Sequence, residues 1–283
     1  DSLSVSGTVT QTSATDTSGS SITINSPNSA SVGSAVTGYY GQLTLNSNGT
    51  YSYVANQSNA DALDSGESAT DVFTFTVSDG TTTTSSTITF TVNGANDAPT
   101  ASDNTVTTTE DNNHTFAASE FGFTDVDGDS LDHVTIATLP STGTLYLSGV
   151  AVSAGDQISA ANISNLVFTP AANGNGSPYD TFTFSVNDGT TDSASNYTMT
   201  VNVTAVNDAP TVVNDTDSVT EGGTVTETTN SAGTVISDDS DTDGDSLSVS
   251  GTVTQTSATD TSGSSITINS PNSASVGSAV TGY

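Results

Sequence analysis

The sequence predicts an all-β protein built of antiparallel β-sandwiches. Three observations carry that expectation. Apolar residues recur with a period of two in several short stretches, no segment shows a helical stripe, and a set of turn and acid motifs returns in a fixed order along the chain.

The first clear hairpin is LTLNSNGTYSYV, Leu43 to Val54. Leu43, Leu45, Tyr51 and Tyr53 fall on one side of extended chain, and NSNG supplies the turn. DVFTFTV (Asp71 to Val77) and STITFTV (Ser86 to Val92) follow with the same alternation. DTFTFSV (Asp180 to Val186) and YTMTVNV (Tyr197 to Val203) repeat it in the second half. β-Branched and aromatic residues bounded by Gly, Asn and Asp clusters favour half-buried strands, and many short strands at this spacing indicate sandwiches.

Composition pulls the other way. Leu, Ile, Val and Phe make up about a fifth of the 283 residues, and 31 acids with no Lys or Arg give a formal charge of −31. That combination borders on intrinsic disorder, which the strict alternation argues against. The charge excludes partners as well. Nucleic-acid binding rests on Lys and Arg, and anionic membrane surfaces repel such a chain. Self-repulsion opposes a compact state, so something cationic must offset it, and free metal ions are the obvious candidates. Without Cys there are no disulfides or thiolate metal sites, and without Lys there is no isopeptide cross-link. No apolar run approaches the roughly 18 residues that span a bilayer. The sole methionine is Met199 and no signal-peptide pattern is visible, so the chain reads as a fragment of a longer protein.

Two repeats organise the chain. NDAPT stands at Asn96 to Thr100 and again at Asn207 to Thr211, and Glu110 and Glu221 follow their Asn at the same offset. DVDGDSL (Asp125 to Leu131) returns as DTDGDSL (Asp241 to Leu247), and FTFTVSDGT (Phe73 to Thr81) as FTFSVNDGT (Phe182 to Thr190). This order defines one complete domain, residues 98–208. Residues 1–97 read as the back end of a related domain and residues 209–283 as the front end of another. The second repeat is an identity: Asp245 to Tyr283 reproduces Asp1 to Tyr39 without a mismatch. Residues 209–283 continued by 40–97 make one uninterrupted domain. The identity therefore marks an alternating, end-to-end array whose period carries Asp1 onto Asp245.

NDAPT, DVDGDSL, GTLYLSGVAVSAGDQI, LVFTPAANGNGSPYDTFTFSVNDG and VNVTAVNDAPT together resemble the cadherin-like tandem domains of very large bacterial surface proteins. EGGTVTETTNSAGTVISDDSDTDGDSLSV, with YGQLTLNSNGTYSYV and the residues that follow to Thr100, resembles a VCBS repeat. The resemblance covers essentially the whole chain. It implies tandem Greek-key sandwiches of immunoglobulin or cadherin type. It also implies an extracellular, repetitive stalk of an exported bacterial adhesin of the RTX kind, often carried by type I secretion, with calcium at the domain junctions. The linker here reads NDAP where the animal cadherin linker reads DxNDNAP, so the number of ions per junction does not carry over.

The acids themselves suit a hard cation, which takes six to eight oxygens from carboxylates, amides, carbonyls and water. The DxD spacing puts two carboxylates on one side of a short extended stretch, ND adds an amide and a carboxylate in the linker, and DG adds one after a strand. In an end-to-end array these loops meet. The candidate ligands at the first junction are Asn96 and Asp97 from the linker and Asp125, Asp127 and Asp188 from the domain that follows, with Glu67 from the domain before as a secondary candidate. Those at the second are Asn207 and Asp208, Asp241 and Asp243, with Glu110 from the domain before. Asp79 and Glu221 belong to junctions beyond the two ends. For any one Asp the alternative is a solvated or turn-forming role. An EF-hand loop is excluded because Ser130 stands where its Gly is required and Ile136 where its Glu belongs.

Catalysis has little support. His114 and His133 are the sole histidines, each in a polar segment, and no triad or glycosidase motif is present. The chain therefore reads as a non-enzymatic, calcium-stiffened spacer on a bacterial surface or in a secreted filament, its partners being neighbouring copies of its own repeat. The competing readings are a glycan-binding sandwich using Tyr39, Tyr40, Tyr51, Tyr53, Tyr146 and Tyr179, and lateral self-association into a matrix or sheath.

Overall fold

A computed structural model describes residues 2–226, 235–259, 263, 265–266 and 273–275. The chain forms two compact units, Asp1–Ala205 and Val206–Tyr283. The first holds two β-sandwiches. The front end of the next sandwich, expected over residues 209–283, lies only in part within the described residues.

Domain 1 contains β1 (Ser4–Thr15), β2 (Ser21–Ile22), β3 (Ser29–Ser31), β4 (Ala35–Thr37), β5 (Gln42–Leu45), β6 (Tyr51–Val54), β7 (Ser68–Ser78) and β8 (Thr83–Asn93). One sheet has the order β2-β1-β7-β8, with β3 also on β1, and the facing sheet has the order β4-β5-β6. The DVFTFTV stretch lies in β7 and STITFTV in β8, paired antiparallel without a break from Ser68↔Asn93 to Ser78↔Thr83. Alternation sends Ala69, Asp71 and Phe73 to the buried face. LTLNSNGTYSYV forms the β5–β6 hairpin, with Asn46 N–H on the Thr50 carbonyl at 2.8 Å. Leu43 and Leu45 are buried as expected, but Tyr51 on the same face is 56% exposed, because nothing in the described residues covers that end of the sandwich.

The buried Asp71 holds domain 1 together. Its Oδ1 accepts from Gln11 Nε2 at 3.0 Å and Tyr39 N–H at 3.1 Å; its Oδ2 accepts from Tyr40 N–H at 2.9 Å, Gly41 N–H at 3.1 Å and the Tyr53 hydroxyl at 2.8 Å. Three of these donors are consecutive amides of GYYG, so one carboxylate pins the Gly38–Gly41 corner and β6 to β7. The corner comes so close that a Cβ on Gly38 would lie 2.5 Å from Asp71 Oδ2. Burial, reinforced by the bond to Asp71, pushes the Tyr53 phenol well above its ordinary value.

Domain 2 contains β9 (Asn104–Thr109), β10 (His114–Thr115), β11 (His133–Thr138), β12 (Thr144–Leu147), β13 (Val150–Ala151), β14 (Gln157–Ser159), β15 (Leu166–Thr169), β16 (Gly176–Asn187) and β17 (Tyr197–Thr204). Its sheets have the orders β14-β11-β16-β17-β9 and β10-β15-β12-β13. Phe116, Phe121, Phe168, Phe182 and Phe184 are fully buried between them with Ile136, Leu145 and Met199. The rings meet edge to face, Phe116 on Phe182 at 5.7 Å and Phe121 on Phe184 at 4.9 Å. The first strand, β9, runs parallel to the last, β17, from Asn104↔Met199 to Thr109↔Thr204. Parallel first and last strands make the chain enter domain 2 at one end and leave at the other, which is the geometry an end-to-end array needs.

In the second unit β18 (Thr252–Thr254) pairs with β21 (Ser273–Ser275), and β19 (Ala258–Thr259) with β20 (Ser265–Ile266). Thr252↔Ser275 and Ala258↔Ile266 are Thr8↔Ser31 and Ala14↔Ile22 moved on by one array period. The identical sequence takes the identical register.

Replacing Asp71 by Ala strands several buried donors, each costing about 1–3 kcal/mol. Scanning calorimetry of the Asp71→Ala variant is expected to show the domain 1 transition lowered by about 10 °C or more, with that of domain 2 in place.

Candidate metal centre at the domain junction

The linker after β8 meets two loops of domain 2. Thr100 and Thr124 exchange both backbone hydrogen bonds at 2.8 Å, which lays Asn96–Asp97 beside the DVDGD loop that starts at Asp125. That loop is wound by its own first acid. Asp125 Oδ1 accepts from Asp127 N–H at 2.9 Å and Asp129 N–H at 3.2 Å, and Gly128 takes the left-handed conformation, φ +88°, that closes the turn. Asp127 Oδ2 then accepts from Asp97 N–H at 2.6 Å. Asn96 donates through Nδ2 to the Asp97 carbonyl at 2.6 Å and to Asp188 Oδ2 at 3.1 Å. Asp188 Oδ1 accepts from Thr190 and Thr191 N–H, both at 2.6 Å. Asn96, Asp125 and Asp127 are each oriented through one polar atom, and Asp188 through both of its oxygens.

The other oxygens are left over. Asn96 Oδ1, Asp125 Oδ2 and Asp127 Oδ1 are buried and accept no hydrogen bond, an arrangement that costs free energy unless something positive meets them. Domain 1 adds Asp64: one carboxylate oxygen each of Asp64, Asp127 and Asp129 lie within 4.8 Å of one another. Oxygens on a calcium ion sit about 2.3–2.6 Å from it, so ligands on opposite sides are about 5 Å apart. The chain has no Lys or Arg to answer these charges. Amide and carboxylate oxygens from two domains, several of them without partners, fit a hard dication.

The electrostatics agree. Burial, with the charges of Asp97, Asp125 and Asp64, holds the Asp127 carboxyl above the usual carboxylate value despite the Asp97 amide. Burial and the charges of Asp64, Asp125, Asp188 and Asp127 raise Asp129. Burial also works against ionised Asp188, but the Thr191, Asn96 and Thr190 donors together outweigh it and lower the pKa.

The structure thus brings Asn96, Asp97, Asp125, Asp127 and Asp188 together, with Asp97 entering through its backbone N–H while its side chain is exposed. Glu67 is exposed, and its Oε2 accepts from Asp64 N–H at 3.3 Å; the residue it supports, Asp64, is the one that reaches the cluster. Asp64 and Asp129 are not among the sequence candidates. Asp129 was marked by being the third acid of DVDGD, whereas nothing in the sequence around Asp64 announces it.

The second unit repeats the arrangement. Asn207 Nδ2 donates to the Asp208 carbonyl and Asp208 N–H to Asp243 Oδ2, both at 2.6 Å. Asp241 Oδ1 accepts from Asp243 N–H at 3.0 Å and Asp245 N–H at 3.2 Å, and Thr211 bridges Ser240. Glu110, in the first unit, is buried past the end of β9, with its N–H on the Thr204 carbonyl at 2.9 Å and its Oε2 accepting from Asn175 Nδ2 at 3.2 Å. Asp79 Oδ1 accepts from Thr81 and Thr82 N–H at 2.8 and 2.7 Å. Glu221 is exposed.

Paired sandwiches joined by an acid-lined linker place the chain in the class of tandem immunoglobulin- and cadherin-like β modules. Residues 1–94 match the family model of the bacterial cadherin-like domain, and residues 96–204 that of the bacterial Ig domain. The cadherin-like match falls on the segment whose motifs resemble a VCBS repeat, and the Ig match on the one whose motifs resemble cadherin-like domains. Domains of these families are typically non-catalytic and typical of extracellular or surface proteins. No helix among the described residues is long and apolar enough to cross a membrane. No curated protein matches the chain. Among solved structures, an endo-fucoidan hydrolase of glycoside hydrolase family 107 aligns with 61% of this chain and 23% of its own, at 24% identity and a TM-score of 0.25. Surface layer protein SbsC, domains 1–6, aligns with 74% of this chain and 29% of its own, at 14% identity and a TM-score of 0.23. The chain spans about a quarter of the length of these structures.

Asp129 separates the two faces of this cluster. Its raised pKa means that ionisation costs stability when no cation is bound: the cost is absent below the ordinary carboxylate value and fully present above the raised one. In chelator at neutral pH, Asp129→Asn is therefore expected to raise the melting temperature. In calcium titrations the same variant is expected to bind at least about ten-fold more weakly, since carboxylate count sets affinity.

Proposed function

We propose that the chain is a length of calcium-stiffened spacer from a repetitive bacterial surface adhesin or extracellular filament. One observation carries this reading: the buried, unpartnered oxygens of Asn96, Asp125 and Asp127 stand at the junction of two sandwiches, with Asp64 of domain 1 beside Asp127 and Asp129 of domain 2. Asp64, Asn96, Asp125, Asp127, Asp129 and Asp188 would hold the ion, and Asn207, Asp208, Asp241 and Asp243 would begin a second site of the same design. Calcium supplies positive charge that draws oxygens of both domains and the linker onto one centre.

The protein's own part is to present those oxygens. Asp125 winds its loop, Asp97 N–H aims Asp127, and the Thr190 and Thr191 amides aim Asp188. Joining the two sandwiches through the ion removes the freedom of a linker whose flanking charges repel. Opposite placement of the two ends of domain 2 turns each stiffened junction into added length. A chain without Lys or Arg also offers trypsin-like proteases no cleavage site, which suits an exposed stalk.

Thermal unfolding with calcium titrated up from chelator tests this. Free calcium at a hundred times the dissociation constant is expected to stabilise by about 2.7 kcal/mol, and small-angle scattering to show a longer, stiffer particle. A melting temperature and a scattering profile that ignore calcium would sink the reading.

A further inference from the structure

His133 stands between two carboxylates of domain 2. On β11 the core side is taken by Val134 and Ile136, which leaves His133 on the outer face. Its side chain is nevertheless only 15% exposed, and its Nδ1 lies 2.8 Å from Asp132 Oδ2. An ionised carboxylate can only accept, so Nδ1 carries a proton and donates it to Asp132. The other ring nitrogen, Nε2, is buried and has no hydrogen-bond partner among the described residues. Asp192 Oδ1 stands 4.0 Å from it. That oxygen is held in place: it accepts from Asn187 Nδ2 at 2.8 Å, and Asn187 Oδ1 accepts from Gly189 N–H at 2.7 Å.

Neither protonation state of the ring satisfies this arrangement. A neutral ring sets a buried lone pair beside a carboxylate, two bases with nothing between them. A charged ring makes Nε2 a donor 4.0 Å from Asp192 Oδ1, beyond the roughly 3.2 Å limit of an N–H···O bond. A metal ion fits the gap better than a proton. Zinc sits about 2.0–2.1 Å from an imidazole nitrogen and about 2.0–2.2 Å from a carboxylate oxygen, so an ion between the two groups reaches both. Asp192, the more exposed of the pair, has room to close toward the tetrahedral angle. One imidazole and one carboxylate suit a borderline dication, whereas calcium takes oxygens. The Asp132 carboxylate on the far ring nitrogen is the kind of partner that fixes the tautomer and orientation of a ligating histidine.

The row is particular to domain 2. His133 pairs with Asn187, and Asn187 with Asp192. In domain 1 the same places in the register are held by Ser4, Ser78 and Thr83. Both sandwiches build these strands and this turn, so the fold requires neither the ring nor the carboxylate.

We propose that His133 Nε2 and the Asp192 carboxylate bind a borderline divalent metal ion of the zinc type, with water completing its coordination. Asp132 positions the ring and Asn187 positions Asp192. The ion fastens the start of β11 to the turn after β16, the turn that also carries Asp188. Domain 2 supplies all four residues. None of them is a junction ligand, so the site stands whether or not the junction binds calcium.

Zinc chloride titrated into the full chain with calcium in excess tests the proposal, followed by calorimetry and by the ring nitrogen signals of the histidines in NMR spectra. Binding is expected to shift His133 Nε2. His133→Gln is expected to abolish this event, Asp192→Ala to weaken it by about ten-fold or more, and His114→Gln to leave it unchanged. Zinc that leaves the His133 signals of the unaltered chain in place overturns the proposal. So does a His133 ring that responds to pH alone, the outcome if a proton is the sole occupant, or binding that survives both His133→Gln and Asp192→Ala.

Discussion

Thirty-one carboxylates share this chain with no lysine or arginine, and the structure is organised by how each acid is answered without them. An ionised carboxylate can be buried only if donors or a cation replace its water. Asp71 takes the first route completely, gathering Gln11, the Tyr39–Gly41 amides and the Tyr53 hydroxyl. Asp79 and Asp188 take a local version, closing the turn after a strand with two backbone N–H groups each. Asp125 uses one oxygen this way and has another buried without a donor. At the junction several acids run short of donors together, and that shortage distinguishes a candidate ion site from an acid-rich surface.

The same motif has opposite consequences in the two sandwiches. DVFTFTV and DTFTFSV occupy the same strand position. Asp71 is buried under the GYYG corner, while Asp180 is only half-buried and accepts from the Ser141 hydroxyl and the amides of Thr142 and Thr181. The difference lies in what packs opposite. Domain 2 fills its interior with five phenylalanines, whereas domain 1 has two smaller clusters around Phe73 and around Tyr40 and Leu63. A buried carboxylate with five donors supplies in directed hydrogen bonds what the thinner core lacks in apolar area.

Strand positions were legible because alternation over four or more residues reports a half-buried strand directly: Leu43–Val54, Asp71–Val77, Ser86–Val92, Asp180–Val186 and Tyr197–Val203 all fall in strands or their hairpins. The parallel pairing of β9 with β17 was not legible, since NTVTTT has one large apolar residue and its partner lies at the far end of the domain's sequence. Local motifs likewise marked Asp125, Asp127 and Asp188 as loop acids in register with their repeats. They could not mark Asp64, whose place in the cluster is set by how domain 1 abuts domain 2, and the acid they offered from domain 1 was Glu67. The motif does not disclose that Asp97 contributes its amide where a carboxylate was expected; that follows from the Thr100–Thr124 bridge turning the linker.

The exact repeat shows where local and long-range instructions part. Residues 8–31 and 252–275 have the same sequence and the same strand register, so hairpin pairing is written within those residues. Burial is not. Phe75 and Val77 carry the motif that is sealed in domain 2, yet they remain half-covered, because their cover is specified by a different stretch of chain. Residues 209–283 continued by 40–97 read as one domain, so the cover for Phe75 and Val77 is written in the stretch between an NDAPT and a DxDGDSL motif, ahead of the repeated residues. Coupling between neighbouring modules along such an array then rests on the charge-bearing junctions, which respond to cations and pH.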